Sequence, residues 1–322
     1  MRDRISNESI IVVDWGTTSF RAWLVDAASG AVLETIAQGR GLTAMTGLSF
    51  PEYCAGRLAP WREDGRGVPP VLMAGMVGAP SGWRTADQPS LPVGPEVLAA
   101  HVVAAEGLDN AWILPGAHRR DSNGDVDVMR GEEVQILGAL ALLDQTEARF
   151  CLPGTHSKWA RAEGGRLVDF ATFLTGEMHA VLLGASILGQ PAQVEAPFDA
   201  AAFDAGLAQA AGPEGLLHHV FSSRGRFLYG ALPPAAIASF LSGTLIGAEL
   251  DGALARDPGL RDGPVILVGG AALRAPYERA LTARGLSVTW VPADRATIAG
   301  VRAVADRMDA LADRTLPRHP GP

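Results

Sequence analysis

Short apolar runs separated by Gly-containing polar turns set the rhythm of the first forty positions. Residues 10–13 (Ile-Ile-Val-Val) are β-branched throughout and predict a buried strand. That run ends in Asp14-Trp15-Gly16-Thr17-Thr18-Ser19. Residues 20–25 then alternate large and small side chains, and a turn over 26–30 leads to a third predicted strand over 31–36. The chain therefore opens with an antiparallel meander, unlike a standard strand–helix–strand nucleotide fold.

Further along, the pattern predicts a helix over 51–61 and a strand over 71–74 that enters a Gly-rich turn, 75–82. A strand over 111–114 follows. Residues 132–143 have helical spacing, with Val134, Leu137, Leu140 and Ala141 on one face. At residue 149 the opening pattern restarts. A strand over 149–152 enters Pro153-Gly154-Thr155-His156-Ser157-Lys158, then come 159–162, a turn over 163–165 and a strand over 166–172. We read this as an internal structural duplication. A helix over 235–254, a strand over 264–268 ending in Gly269-Gly270-Ala271-Ala272, a helix over 275–284, a strand over 287–291 and a helix over 296–311 complete the plan.

Composition narrows the function classes. Of 322 residues, 48% are hydrophobic, enough for sizeable cores and against disorder. Lys and Arg number 27 against 35 Asp and Glu, a net charge of −8, which argues against a nucleic-acid partner. The two cysteines, Cys54 and Cys151, cannot make a disulfide framework or a four-cysteine zinc site. The first nine residues lack an apolar stretch and do not read as a secretory leader. The longest uncharged run, 227–248, contains Gly230, Pro233, Pro234 and Gly243 and reads as a turn plus a buried helix, not a membrane span. A cytoplasmic location is the default expectation.

Three places carry candidate chemistry. At Asp14-Trp15-Gly16-Thr17-Thr18, an acid at a strand end beside a Gly-Thr turn suits a phosphate–metal site. Gly16 would let backbone N–H groups approach phosphate, Thr17 and Thr18 would donate, and Asp14 would hold Mg²⁺ directly or through water. The plain alternative is a hairpin turn whose Asp bonds its own backbone. Gly154, Thr155 and His156 repeat the Gly-Thr turn, with Lys158 able to neutralise phosphate charge. Gly269, Gly270 and Ala271 would allow flat approach of a nucleobase or ribose. Each alone is also a common turn; the ordered set favours phosphate binding. No Gly-x-Ser-x-Gly elbow or zinc spacing appears, His179 reads as a core histidine, and His218 and His219 diverge on a helix.

That ordered set resembles the phosphate-1, phosphate-2 and adenosine motifs of the sugar kinase/Hsp70/actin superfamily. Further segments are similar to the 2-dehydro-3-deoxygalactonokinase family: Met73-Ala74-Gly75-Met76-Val77-Gly78, Val128-Met129-Arg130-Gly131-Glu132-Glu133, Pro153-Gly154-Thr155-His156-Ser157-Lys158-Trp159, Leu174-Thr175-Gly176-Glu177-Met178-His179 and Phe240-Leu241-Ser242-Gly243. The likeness runs over 10–306. It implies an α/β protein of two actin-like (ribonuclease H-like) domains, each a mixed five-stranded sheet flanked by helices, with ATP and Mg²⁺ in the cleft between them. The expected division is a flexible 1–9, a first domain over 10–148 carrying the phosphate-1 motif and sugar-acid site, a second over 149–312, and a disordered tail over 313–322.

The resemblance also implies ATP-dependent phosphorylation of 2-dehydro-3-deoxy-D-galactonate at its terminal hydroxyl, in galactonate catabolism. Phosphoryl transfer needs positioning, charge neutralisation and a group that orients or deprotonates the acceptor. Glu132 resembles the proposed base of related exopolyphosphatases and is favoured over Glu133; both could equally be acids drawn to a helix start. Glu177 is a second candidate, and Asp169 reads as a hairpin-edge acid. Arg130 is the expected partner of the substrate carboxylate, with Arg21 a second if it points inward. Gly75, Met76 and Trp83 would line the sugar pocket. The alternatives are an exopolyphosphatase-like hydrolase, which would want a basic channel, and a non-catalytic nucleotide-binding regulator, for which no helix-turn-helix fits before Ile10. The epimer read by the site and the oligomeric state, a homodimer among the options, stay open.

Overall fold

The computed structural model describes residues 9–62 and 68–315, with side chains as far as 308. Two compact units emerge. The first takes Met1–Glu147, Arg161–Asp169 and Ala293–Pro322, and the second takes Ala148–Ala160 and Phe170–Pro292. Elements along the first stretch are β1 (Ser9–Trp15), β2 (Phe20–Asp26), β3 (Val32–Ile36), α1 (Phe50–Arg62), β4 (Val71–Ala74), α2 (Pro95–Ala100), β5 (Val103–Ala104), β6 (Ala111–Ile113), β7 (Ala117–Arg120), β8 (Val126–Met129) and α3 (Glu132–Leu143). There follow β9 (Ala148–Leu152), β10 (Ser157–Glu163), β11 (Arg166–Phe173), α4 (Thr175–Ala185), α5 (Ala200–Ala210), α6 (Leu216–Leu228) and α7 (Ile237–Arg256). The chain closes with β12 (Val265–Gly269), α8 (Ala271–Ala283), β13 (Val288–Pro292) and α9 (Ala293–Thr315).

The fold is the mixed α/β architecture expected. One sheet runs β3-β2-β1-β4-β6-β5 and the other β11-β10-β9-β12-β13. In the first, β1 and β2 are antiparallel, as are β2 and β3, while β4 joins β1 in parallel and β6 joins β4 in parallel. In the second, β12 is parallel to both β9 and β13. Both sheets thus place three consecutive strands in reverse order and add crossover strands beside the first of them, the repeat read from the sequence. The first sheet differs from the expected five strands by a two-residue sixth, β5, which pairs antiparallel with β6 at the edge.

Strand β1 is buried on both faces, with Ile11, Val12, Val13 and Trp15 within the core, as its unbroken apolar run requires. In the first unit, α3 lies against α9 with backbones in direct contact. A Cβ at Gly138 would collide with the Ala296 carbonyl, and one at Gly300 with the Val134 carbonyl. In the second unit α7 is the central helix, buried along most of its length. Among the described residues Pro234–Arg256 is the single helix long and apolar enough to cross a membrane, and 67% of its apolar window is buried.

Several boundaries differ from expectation. Ser9 already belongs to β1, and α9 continues to Thr315 because no breaker precedes Pro317. The rest of the start expected to be flexible (1–8 of 1–9) and the rest of the tail expected to be disordered (316–322 of 313–322) lie outside the described residues. Helix α8 starts at Ala271 and passes through Pro276; the missing N–H leaves one carbonyl of an exposed first turn to water. Strand β10 begins at Ser157, so Ser157 and Lys158 are strand residues and the turn is only Pro153 to His156. Helices α5 and α6 and the β7–β8 hairpin went unread.

Candidate active site

In the first unit three chain segments converge at the carboxyl ends of the parallel strands. β1 and β4 are in register with Asp14 beside Ala74, so the Asp14 turn and the Gly75 turn leave the sheet side by side. Gly75 has φ +95° and ψ −158°, a backbone state that side chains do not tolerate. A Cβ there would stand 2.8 Å from the Trp15 carbonyl oxygen. Gly131, also left-handed at φ +107°, brings the third segment in: its Cβ would stand 3.3 Å from Gly75 Cα. The phosphate-1-like turn, the Met-Ala-Gly-Met turn and the Arg-Gly-Glu-Glu segment thus share one place.

The Asp14 turn is held from both sides. The Gly16 N–H donates to the Ser19 carbonyl at 2.9 Å, and the carbonyls of Gly16 and Thr17 accept from the N–H groups of Leu42 and Thr43 at 3.1 and 3.0 Å. Gly41 fits because a Cβ would collide with the Thr17–Thr18 backbone. The Gly41-Leu42-Thr43 buttress was missed in the sequence, where only the glycine hinted at it. With their carbonyls and neighbours fixed, Thr17 and Thr18 stay exposed.

Arg21 stands at the Asp14 turn. It sits opposite Asp14 in the β1–β2 ladder, and its Nη2 donates to Asp14 Oδ2. Among the described residues the pairing commits one Asp14 carboxylate oxygen, Oδ2, and leaves Oδ1 without a hydrogen bond. Among the described residues no group of three or more His, Cys, Asp or Glu could hold a metal. That donor set fits magnesium, which keeps waters and takes one or two carboxylates plus nucleotide phosphates, and not a cation needing a full protein cage.

Arg130 is half-buried and donates from Nη1 to the Ala86 carbonyl at 3.1 Å, next to Gly78 of the Gly75 turn. Burial pulls its pKa down, and Glu133 and Asp87 oppose that. Gln88, unremarked in the sequence, anchors the same segment by donating to the Met129 carbonyl at 2.8 Å. Both glutamates fold back over the α3 start. Glu132 Oε2 accepts from the Arg130 N–H at 3.1 Å, and Glu133 Oε2 accepts from the Gly131 N–H at 2.7 Å. Glu132 is half-buried. Glu133 is fully buried, and burial first, then the Glu132 charge, pushes its pKa up to about 8. Met76 borders this place. Trp83 is a packing residue: it meets Trp15 and Phe50, and its indole N–H donates to the Glu106 carbonyl at 3.0 Å.

The second unit carries the other motifs. Gly154, Thr155 and His156 form the β9–β10 turn. Helix α4 closes over it: a Cβ at Gly176 would collide with the Gly154 carbonyl, and the Glu177 N–H donates to the Thr155 carbonyl at 2.9 Å. Glu177 pairs with His156 Nε2, which places it at this turn. Lys158 is 4% exposed, and its Nζ donates to the His156 carbonyl at 3.1 Å. Gly269 ends β12 beside Pro153 and Trp290, while Gly270 and Ala271 open α8 on the surface, Gly270 facing open space. Asp169 pairs with Arg119 at 2.8 Å in the first unit, and His179 bonds the Ala238 carbonyl at 2.9 Å, half-buried on α4 and not in the core as expected.

Comparison with known proteins places this geometry. The sequence model of the family described as 2-keto-3-deoxy-galactonokinase matches residues 14–304. A 2-dehydro-3-deoxygalactonokinase of Escherichia coli (strain K12) is 38% identical over 298 residues, 92% of this chain and 97% of that protein. A Rhizobium meliloti (strain 1021) relative, DgoK1, is 39% identical, over 91% of this chain and 95% of its own. The crystal structure of a Sinorhizobium meliloti protein superposes with a TM-score of 0.84 at 37% identity, covering 95% of this chain and 100% of that one. With the match spanning both sheets and every motif described above, the chain belongs to the 2-keto-3-deoxy-galactonokinase family.

Proposed function

We propose that this chain is a kinase that transfers the γ-phosphoryl group of ATP to the terminal hydroxyl of 2-dehydro-3-deoxy-D-galactonate, with the residue roles that follow. Family membership supports the activity and the acceptor. The observation that carries the roles is the meeting of the Asp14, Gly75 and Gly131 segments in one unit. Arg130 holds the substrate carboxylate, for which a half-buried guanidinium is suited. Glu132 takes the proton of the terminal hydroxyl as its oxygen bonds phosphorus and the bond to the β-phosphate oxygen breaks. Thr17 and Thr18 donate to phosphate oxygens, and Arg21 keeps Asp14 oriented. In the second unit the Gly154-Thr155 turn and Lys158 serve the phosphates, and Gly269 to Ala271 the nucleoside. Magnesium, with Asp14 as its protein ligand, would neutralise phosphate charge when bound. As part of this reading the enzyme works in the cytoplasm, where its ATP is.

The test is a coupled ADP-release assay with Mg·ATP. It compares 2-dehydro-3-deoxy-D-galactonate, its gluconate epimer, galactonate and no acceptor. Turnover is expected with the galactonate-derived acid and at background level without an acceptor. Release that ignores the acceptor would make the chain a hydrolase and overturn the reading.

Homodimerisation belongs to the same proposal. Leu217, Phe221 and Leu228 stand on one face of α6 and are 87%, 59% and 59% exposed. A second copy is the occupant we assign to this stripe. Sedimentation velocity should find a dimer that Phe221→Asp converts to monomer; a wild-type monomer at micromolar concentration would remove the assignment.

A further inference from the structure

We propose that Glu249 is a positioning residue for the nucleotide: one buried carboxylate on α7 holds the strand that leaves the Gly154-Thr155 turn, the helix that closes over that turn, and the helix that follows Gly269-Gly270. The proposal rests on the reading that these turns bind ATP.

Glu249 is 3% exposed within an otherwise apolar stretch of a buried helix. A carboxylate in such a place is costly unless its oxygens are bonded. Here four side chains supply those bonds. Oε1 accepts from the Trp159 indole N–H at 2.8 Å, and Oε2 from the Tyr277 hydroxyl at 2.9 Å. The hydroxyls of Thr175 and Ser157 also bond it, and Ser157 and Tyr277 lie 2.9 Å apart. These donors pull the Glu249 pKa down against the larger upward pull of burial.

What the donors belong to gives the carboxylate its role. Ser157 and Trp159 are alternate residues of β10 and share a face, so Lys158 between them is presented on the other face. Bonding both flanks fixes the rotation of β10 that aims Lys158. Thr175 is the first residue of α4, directly before Gly176 and Glu177, which pack on and bond to the turn. Tyr277 lies in the second turn of α8, whose start is the Gly270–Ala271 surface. A hydrophobic residue would fill the same space in α7 and leave these three segments tied only by packing.

The experiment measures initial rates of the full-length enzyme with ATP varied at saturating sugar acid, and the reverse, for Glu249→Gln, Tyr277→Phe and Lys158→Met. A bond to a charged group lost or weakened corresponds to roughly a tenfold change in binding. The KM for ATP is therefore expected to rise about tenfold in Glu249→Gln and less in Tyr277→Phe, with the KM for the acid unchanged. Lys158→Met raises the KM for ATP through direct contact. If Lys158→Met raises it but the other two leave it within twofold, positioning by Glu249 is overturned and the nucleotide site stands. If none of the three raises it, the site reading falls and takes the positioning role with it. A purely structural role predicts fewer active molecules and a lower Tm, hence lower kcat with both KM values unmoved, and that result also overturns the proposal. Should Glu249→Gln fail to fold, Tyr277→Phe decides alone, since it removes only the hydroxyl that bonds Glu249 and Ser157 and keeps the ring.

Discussion

Glu132→Gln is expected to lower kcat by about 10²–10⁴-fold, the range for loss of a positioned general base, while leaving the KM for ATP and for the sugar acid near their wild-type values. The structure separates the two adjacent glutamates that the sequence left competing. A base must be ionised before the reaction and must reach the acceptor. Glu133 meets neither condition: it is fully buried, and its pKa of about 8 leaves it mostly protonated at neutral pH. Glu132 is half-buried on the first turn of α3, next to Arg130 and across from the Asp14 turn through Gly131 and Gly75. Its carboxylate also bonds the Arg130 N–H, a contact that the amide oxygen of Gln preserves. The substitution therefore removes basicity with little change in shape. Steady-state rates at saturating substrates give the answer directly. A kcat within threefold of wild type would remove Glu132 as base and move attention to Glu177. A matched rise in the KM for the acid would instead recast Glu132 as a binding group.

The strands that carry the site were legible because both sheets contain uninterrupted apolar runs, 10–13 and 265–268, and each run leads into a Gly-containing turn. Helix α3 was read to the residue because its apolar face and its acidic first turn agree. What remained hidden depends on distance in sequence. That Arg21 is bound to Asp14 follows from the β1–β2 register, which a seven-residue separation does not reveal. Lys158 looked like a loop lysine, yet it is a strand residue, because Ser157 and Trp159 turn inward to Glu249. Glu249 itself gave no signal, since an acid two residues before Asp251 in α7 reads as part of the polar face of that helix. Glu177 was read as a second candidate base, and its place beside His156 follows from the packing of α4 over the Gly154-Thr155 turn. Trp83 was read as pocket lining; it is half-buried, and its stacking on aromatic neighbours from β1 and α1 was not visible in the sequence.

Glu133→Gln should make the protein more stable at alkaline pH and leave it unchanged in acid. In the unfolded chain Glu133 titrates near 4.5, and in the folded chain at about 8, because burial and the Glu132 charge both oppose ionisation. Below pH 4.5 both states hold the proton and the residue makes stability no more pH-dependent. Between 4.5 and 8 the unfolded chain has released it and the folded chain has not, so folding takes up a proton and stability falls as pH rises. Above 8 both states are ionised and the loss is complete, on the order of 5 kcal/mol as an upper bound for a shift of this size. Gln cannot ionise, and its amide oxygen can still accept from the Gly131 N–H that Glu133 Oε2 holds at 2.7 Å, so the left-handed turn beside Gly75 is kept. Thermal unfolding of both proteins from pH 5 to 9 is the measurement. The Tm curves should lie closest at pH 5 and separate further with rising pH, the variant above wild type. Parallel curves across the range would mean that Glu133 ionises in the folded protein like any exposed glutamate. Glu132→Gln gives an independent check, because removing the neighbouring charge lowers the Glu133 pKa, so that in this background the curves stop separating at a lower pH and end closer together. A shift in that direction ties the two residues together: the buried glutamate stays neutral partly because its neighbour is charged, and that charged neighbour is the one left to take the proton.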